Sequence, residues 1–331
     1  PPILWDIESD PILAGTKLIA EAWDAAGLYQ VGSFIGDQWK EWNGKFRDDI
    51  RSFVRGDEGS VSNLPSRFFA SPDLYGHEER EPEQSINFVT CHDGFTLNDL
   101  VSYNQKHNEA NGENNRDGHN QNLSWNCGVE GPSDDPRIEQ LRNRQVKNFF
   151  TINLLALGVP MILMGDEMRR SQQGNNNAYC QDNEINWVDW TLLDQHGDIH
   201  RFVKQMISLR LSLAVFQNDH GLSLNQLLQM AKIDWHGVKL NQPDWSDHSH
   251  SLAFTVQGRT EVFHILFNAY RETLEFELPL SPTDPRTRWR RIIDTYLESP
   301  QDICSMAEAT PVDSQTYVVQ PYSVVLFAKD L

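Results

Sequence analysis

Residues 17–24 read KLIAEAWD. Leu18, Ile19 and Ala20 form a short apolar run that ends on Glu21, with Trp23 and Asp24 just beyond. Two other runs have the same design. SINFVT (85–90) leads to His92 and Asp93, and VPMILMG (159–165) leads to Asp166 and Glu167. Each run is continuous rather than alternating and is bounded by polar residues, Gly or Pro. That predicts parallel strands buried on both faces. Helical patterns lie between and after them, over 45–55, 96–103 with Thr96 as N-cap, 137–157 ending at Gly158 before Pro160, and 199–213. Strands that alternate with helices make the class α/β.

The connecting segments 104–136 and 169–189 are long and rich in Asn, Gly and Asp. Loops of that length in a compact domain are either functional or disordered. Trp125, Tyr179, Trp187 and Trp190 argue for order, because disordered segments are poor in aromatics. Beyond residue 217 the pattern changes to short β-rich segments at 252–256, 262–267, 273–278, 289–294, 316–319 and 323–328. These predict an antiparallel β-sandwich over 218–331, behind an α/β domain over 1–217.

With 331 residues the chain can bury a large core. A formal net charge of −19 disfavours nucleic acid and acidic membranes, and leaves a neutral ligand as the expected partner. No apolar run is long enough to span a membrane. PPILWDIESD lacks a basic region followed by an apolar one, so no signal peptide is expected. Cys91, Cys127, Cys180 and Cys304 are far apart and form no CxxC pair, which predicts free thiols, neither disulfides nor a zinc site, and a cytoplasmic location.

In a (β/α) barrel the reacting groups sit at the C-terminal ends of the strands. Glu21 and Asp93, on two strand ends among aromatic loops, suggest glycoside hydrolysis. One carboxyl group protonates the leaving oxygen, and the other carboxylate attacks, positions water or stabilises an oxocarbenium-like transition state. Glu21 is the expected acid, and burial beside Asp93 is expected to favour its proton-donating form. Each residue has an ordinary structural alternative. Glu21 would be a capping or salt-bridged carboxylate, His92 a hydrogen-bonded core histidine, and Asp93 a helix cap. Asp166 and Glu167 are read as structural supports of the last strand or its loop.

IAEAWD (19–24), NFVTCHDGFTLNDLVSYNQKHNEANGE (87–113), GVPMILMGDE (158–167) and GNNNAYCQDNE (174–184) resemble the isoamylase and glycogen-debranching branch of the α-amylase superfamily. The similarity runs over nearly the whole chain and is densest between Leu18 and Trp190. The resemblance implies that Glu21 is the general acid/base. It makes Asp93 the third carboxylate, which holds and distorts the sugar to be cleaved, and His92 a residue that hydrogen-bonds the same sugar. Trp23, Asp24 and Tyr29 would line the acceptor side. It implies retaining cleavage of α-1,6 branch linkages in glycogen or related α-glucans, with no organic cofactor. No loop here has convincing calcium-ligand spacing, so no metal is expected.

The same resemblance implies a nucleophilic aspartate in a motif like DGFRFD, a few tens of residues before the acid/base. The 20 residues before Glu21 contain Asp6 and Asp10, but no such motif. Three clear strands, at most four, precede residue 217, whereas a closed barrel needs eight. The expectation is therefore the C-terminal half of a (β/α)8 barrel followed by the sandwich. The isolated chain would be inactive, and the N-terminal half of the same protein would be a partner. The alternatives are a non-catalytic glucan-binding or regulatory subunit, and a related branching transferase that uses the same residues.

Overall fold

A computed structural model describes residues 2–24, 26–36, 38–77, 80–213, 216, 221–258, 261–280 and 288–330. The expected boundary between 217 and 218 lies outside them. Four parallel strands form one sheet in sequence order: β1 (Leu18–Ala20), β2 (Trp39–Trp42), β3 (Ser85–Asn87) and β4 (Val159–Pro160). All four C-terminal ends therefore lie along one edge of the sheet.

The strands are shorter than their apolar runs, and the two outer ones are not buried on both faces. Ile19 is 50% exposed and Val159 36% exposed. The reason is positional. β1 and β4 are the edges of the sheet, and neither has a neighbour on its outer side among the described residues. β2 escapes the sequence reading altogether. Its WKEW alternates, with Trp39 and Glu41 buried and Lys40 and Trp42 half-buried, and it contains two charges. Glu41 is tolerated inside because Arg80 donates to its Oε1 at 2.7 Å and the Gly32 amide donates to its Oε2 at 2.5 Å. Burial still pushes its carboxyl pKa up.

The helices match their patterns more closely. α1 (Pro2–Ser9) precedes the sheet, α2 (Gly44–Arg55) follows β2, and α3 (Leu64–Phe68) and α4 (Pro72–Tyr75) follow in turn. α2 begins at Asn43, whose side chain accepts from the Phe46 amide and donates to Ser71 Oγ and Ser85 Oγ. Ser85 in turn donates to Asn87, and Asn87 to the Leu157 carbonyl. This buried polar chain ties β2, β3 and the start of β4 together. α5 (Leu97–Leu100) has Thr96 as its cap, as expected, but is a single turn. α6 (Pro136–Leu155), α7 (Leu192–Gln195) and α8 (Gly197–Ser212) complete the first part. Gly158 adopts φ +109°, and a Cβ there would come within 2.8 Å of Asn87 Nδ2, so only glycine permits this entry into β4.

α9 (Leu224–Met230), capped by Ser223, leads into a six-stranded antiparallel sheet. Its strands are β5 (Lys232–His236), β6 (Ser251–Gln257), β7 (Glu261–Asn268), β9 (Arg290–Asp294), β10 (Thr310–Pro311) and β12 (Ser323–Asp330). β8 (Leu274–Glu277) and β11 (Thr316–Val319) pair separately as a second, two-stranded sheet. β5 and β10 are not predicted by the sequence pattern.

The large sheet is apolar on both faces, with period two. Leu252, Phe254, Ile265, Phe267, Val324 and Leu326 pack against the first part of the chain. Ala253, Leu266, Val325 and Phe327 pack with Phe276 and Val319 of the small sheet. The first face joins Phe53, Phe68 and Phe69, with ring centroids at 5.9 Å for Phe53–Phe267, 5.1 Å for Phe68–Phe254 and 5.4 Å for Phe69–Phe254. From Gln145 onward α6 is buried all round because it lies against this domain. Its Asn148 bonds the Tyr322 carbonyl and Thr295, and its Lys147 pairs with Asp302 at 2.7 Å.

Candidate active site

Glu21 follows β1 directly, and His92 and Asp93 lie five and six residues beyond β3. Because β1 and β3 are parallel members of one sheet, both segments leave from the same edge. Their side chains converge there. One ligand-type atom from each of Glu21, His92 and Asp93 lies within 4.8 Å of the others, the one such group of three among the described residues. Nε2 of His92 stands 3.6 Å from Oδ1 of Asp93.

All three side chains are exposed, which corrects the expectation that Glu21 is buried beside Asp93. The physical reason is the open sheet. Glu21 stands at the end of an edge strand with no described neighbour outside it. The group could hold a divalent cation only as an incomplete three-ligand shell, because no fourth His, Cys, Asp or Glu of the described residues joins it.

The remaining predicted residues form the wall beside this cluster. Trp23 and Tyr29 pair across an antiparallel bridge, and the Gln30 amide donates to the Ala22 carbonyl at 2.7 Å, so 22–24 and 28–30 run side by side like the arms of a hairpin. The ring of Trp23 stacks on Tyr29 at 6.1 Å and on Phe88 at 6.5 Å. Arg47 of α2 lies over Trp23 and Phe88 at 6.0 and 5.8 Å. Gly44 keeps this loop close to α2, since a Cβ there would meet Tyr29 Oη at 3.3 Å. Asp24 acts within its own loop, where Oδ1 accepts from the Ala26 and Leu28 amides at 2.8 and 2.9 Å. Among the described residues no hydrogen bond or ion pair joins Asp24 to the Glu21 cluster.

Trp42 is a site residue that the sequence reading missed. Its ring lies 5.6 Å from His92 and 5.5 Å from Phe88, so Trp23, Phe88, Trp42 and His92 form one aromatic chain. The available signal was the alternating WKEW followed by Asn43, a strand ending on a helix cap.

The segment that carries His92 and Asp93 is held at several points. Arg51, fully buried, donates to the Val89 carbonyl through Nε and Nη2 at 2.9 and 2.6 Å, and to the Asn122 carbonyl through Nη1. Burial pulls its pKa down to about 10. The Gly94 amide donates to the Asn176 carbonyl at 2.9 Å. Asp166, buried beyond β4, accepts from Thr90 Oγ1 and from the Leu97 amide. In return Asp99 of α5 accepts from Ser171 Oγ and from the amides of Gln172 and Gly174. Two buried carboxylates thus clasp the loops after β3 and β4 to each other. The long polar loops are ordered by such contacts, as Asn176 with Asn108 and Asn122 illustrates.

Known proteins resemble this chain over nearly its whole length. The family described as "Isoamylase 1-3, C-terminal" matches residues 234–329. Isoamylase 3, chloroplastic, of rice (Oryza sativa subsp. japonica) is 43% identical over 331 residues, covering 98% of this chain and 40% of the relative. The glycogen operon protein GlgX homolog of Mycobacterium bovis is 40% identical, covering 98% of this chain and 47% of the relative. Residues 234–329 are an isoamylase C-terminal domain, and the chain as a whole is homologous to isoamylases and GlgX-type proteins. It spans under half the length of these isoamylase-type relatives. The structure of pullulanase type I from Bacillus subtilis str. 168 complexed with maltose shares the fold at a TM-score of 0.68 and 19% identity, covering 99% of this chain and 42% of that one. Pullulanase from Bacillus acidopullulyticus aligns at a TM-score of 0.67 over 96% of this chain and 34% of its own. Among the described residues of this isoamylase-type chain, no helix is long and apolar enough to cross a membrane.

Proposed function

We propose that this chain carries the acid/base half of a retaining α-1,6-glucan debranching site and cleaves nothing alone. The convergence of Glu21, His92 and Asp93 at one edge of four parallel strands carries this reading. Glu21 would protonate the glycosidic oxygen of the branch. Asp93 and His92 would hold the hydroxyls of the sugar on the other side of the scissile bond, and the charge of Asp93 would favour an oxocarbenium-like transition state. Trp23 and Tyr29 would stack on acceptor-side sugars. Asp24 would support them through its loop. The substrate class is glycogen or a related branched α-glucan. The structural neighbours include a pullulanase complexed with maltotetraose from Anoxybacillus sp. LM18-11.

A retaining mechanism needs a carboxylate nucleophile, and the three-residue cluster contains only Glu21 and Asp93. The missing half of a (β/α)8 barrel, supplied by another segment, would carry it. That segment would cover the edges of β1 and β4, where Ile19 and Val159 are 50% and 36% exposed. The domain division at 217/218 and a cytoplasmic location belong to the same reading, the latter supported by the free thiols of Cys91, Cys127, Cys180 and Cys304. A non-catalytic glucan-binding subunit is the second reading. It draws on the same aromatic wall, but it gives no chemical reason for Glu21, His92 and Asp93 to stand together.

Calorimetric titration with maltohexaose tests the site. The chain should bind, and Trp23→Ala should weaken binding about tenfold, roughly 1.4 kcal/mol. Absence of binding, or equal binding by Trp23→Ala, would sink the reading.

A further inference from the structure

We propose that Asp166 is the positioning residue for His92 and Asp93, acting through Thr90 and Leu97, the two anchors that bracket their turn. The role rests on reading the Glu21 cluster as the active site. Asp166 itself touches neither His92 nor Asp93 in any described hydrogen bond. Its Oδ2 accepts the Thr90 hydroxyl, two residues before His92, and its Oδ1 accepts the Leu97 amide at 2.9 Å, four residues after Asp93. One carboxylate therefore closes the segment from below, on the side away from solvent.

The surroundings make this link sensitive to a proton. Asp166 is 1% exposed. Phe149, Phe150 and Asn153 of α6, together with Met161 and Ile162, line a void of about 10 Å³ beside it, at most one water in size. The charged groups that act on it are Arg51 from α2 and Arg170 and Glu167 from its own loop, and none of them forms an ion pair with it. Burial pushes its carboxyl up to about 7. When ionised, Asp166 accepts both hydrogen bonds. When protonated, it keeps the Leu97 bond on one oxygen, but the other becomes a donor, so the bond to Thr90 reverses. The Thr90 hydroxyl then turns its own proton elsewhere, two residues from the site histidine. The structure thus couples a buried proton to the placement of the His92–Asp93 turn.

The test uses the full chain, free of glucan, and NMR of the Thr90 methyl and the Gly94 amide between about pH 5 and 9. His92→Gln removes the imidazole's own titration from these signals. In that background both signals should move with a shared midpoint near 7, and adding Asp166→Asn should flatten them. Asparagine reproduces the neutral form, accepting from Leu97 and donating to Thr90. Signals that stay still across this range, or that move identically with Asp166→Asn, would overturn the proposal. If Asp166→Asn does not fold, the carboxyl carbon of Asp166 in the His92→Gln chain decides, since a midpoint different from that of the Thr90 methyl would overturn it equally. Because no glucan is present, this outcome is independent of the maltohexaose titration.

Discussion

Asp166 and His264 are both buried, and their protons pull stability in opposite directions. The folded value of Asp166, about 7, lies above its ordinary 3.8. Its contribution to stability is therefore greatest below about pH 4 and is lost as the pH rises through 7, by roughly 4 kcal/mol at most. Burial, with His236 nearby, pushes His264 down to about 3. Its contribution is present above its ordinary 6.5 and is lost as the pH falls towards 3. Urea unfolding should show Asp166→Asn gaining on the parent chain at about pH 8 and not at about pH 4. An equal difference at both would contradict this account. At this scale Glu21, His92 and Asp93 were legible in the sequence because each ends an apolar run. The burial of Asp166 was not, because GDE reads the same whether its carboxylate faces water or Thr90. Trp42 was missed because WKEW contains as many charges as aromatics.

Helices and strands differ in how much of them the sequence reveals. α2, α6 and α8 were close to their predicted ranges, since a helix of twelve or more residues repeats its pattern and carries its own caps. β1, β3 and β4 are two or three residues long, too short for any period, and only their neighbours specify where they stop. The join between the two parts was also invisible. It depends on residues far apart in sequence, above all Asp302, which is fully buried and paired with Lys147 of α6 at 2.7 Å and with Arg201 of α8. Asp302→Ala leaves Lys147 buried without its partner. It should cost about 3–5 kcal/mol of unfolding free energy. A loss under about 1 kcal/mol would mean that the clamp is replaceable by solvent.

For the whole molecule, the central antiparallel sheet is apolar on both faces, so it joins the α/β part to the two-stranded sheet through two cores. The parallel sheet, by contrast, is open at both edges among the described residues, and the end that carries Glu21, His92 and Asp93 lies on a surface rather than in a cleft. An apolar cavity of about 180 Å³ between the two parts, lined by Phe68, Phe69, Leu157, Val256 and Phe263, is not lined by Glu21, His92 or Asp93. The α/β alternation, the antiparallel C-terminal sheet and the likeness to isoamylases were legible because the strand ends and loops carry their motifs in local sequence. The openness of the site was not, since exposure depends on what lies beside β1. The central claim is that Glu21 stands in a glucan site that lacks its nucleophile. Reducing-end release from pullulan measures it most directly. The account predicts no release by the chain alone. Turnover by the chain, abolished in Glu21→Gln, would contradict it.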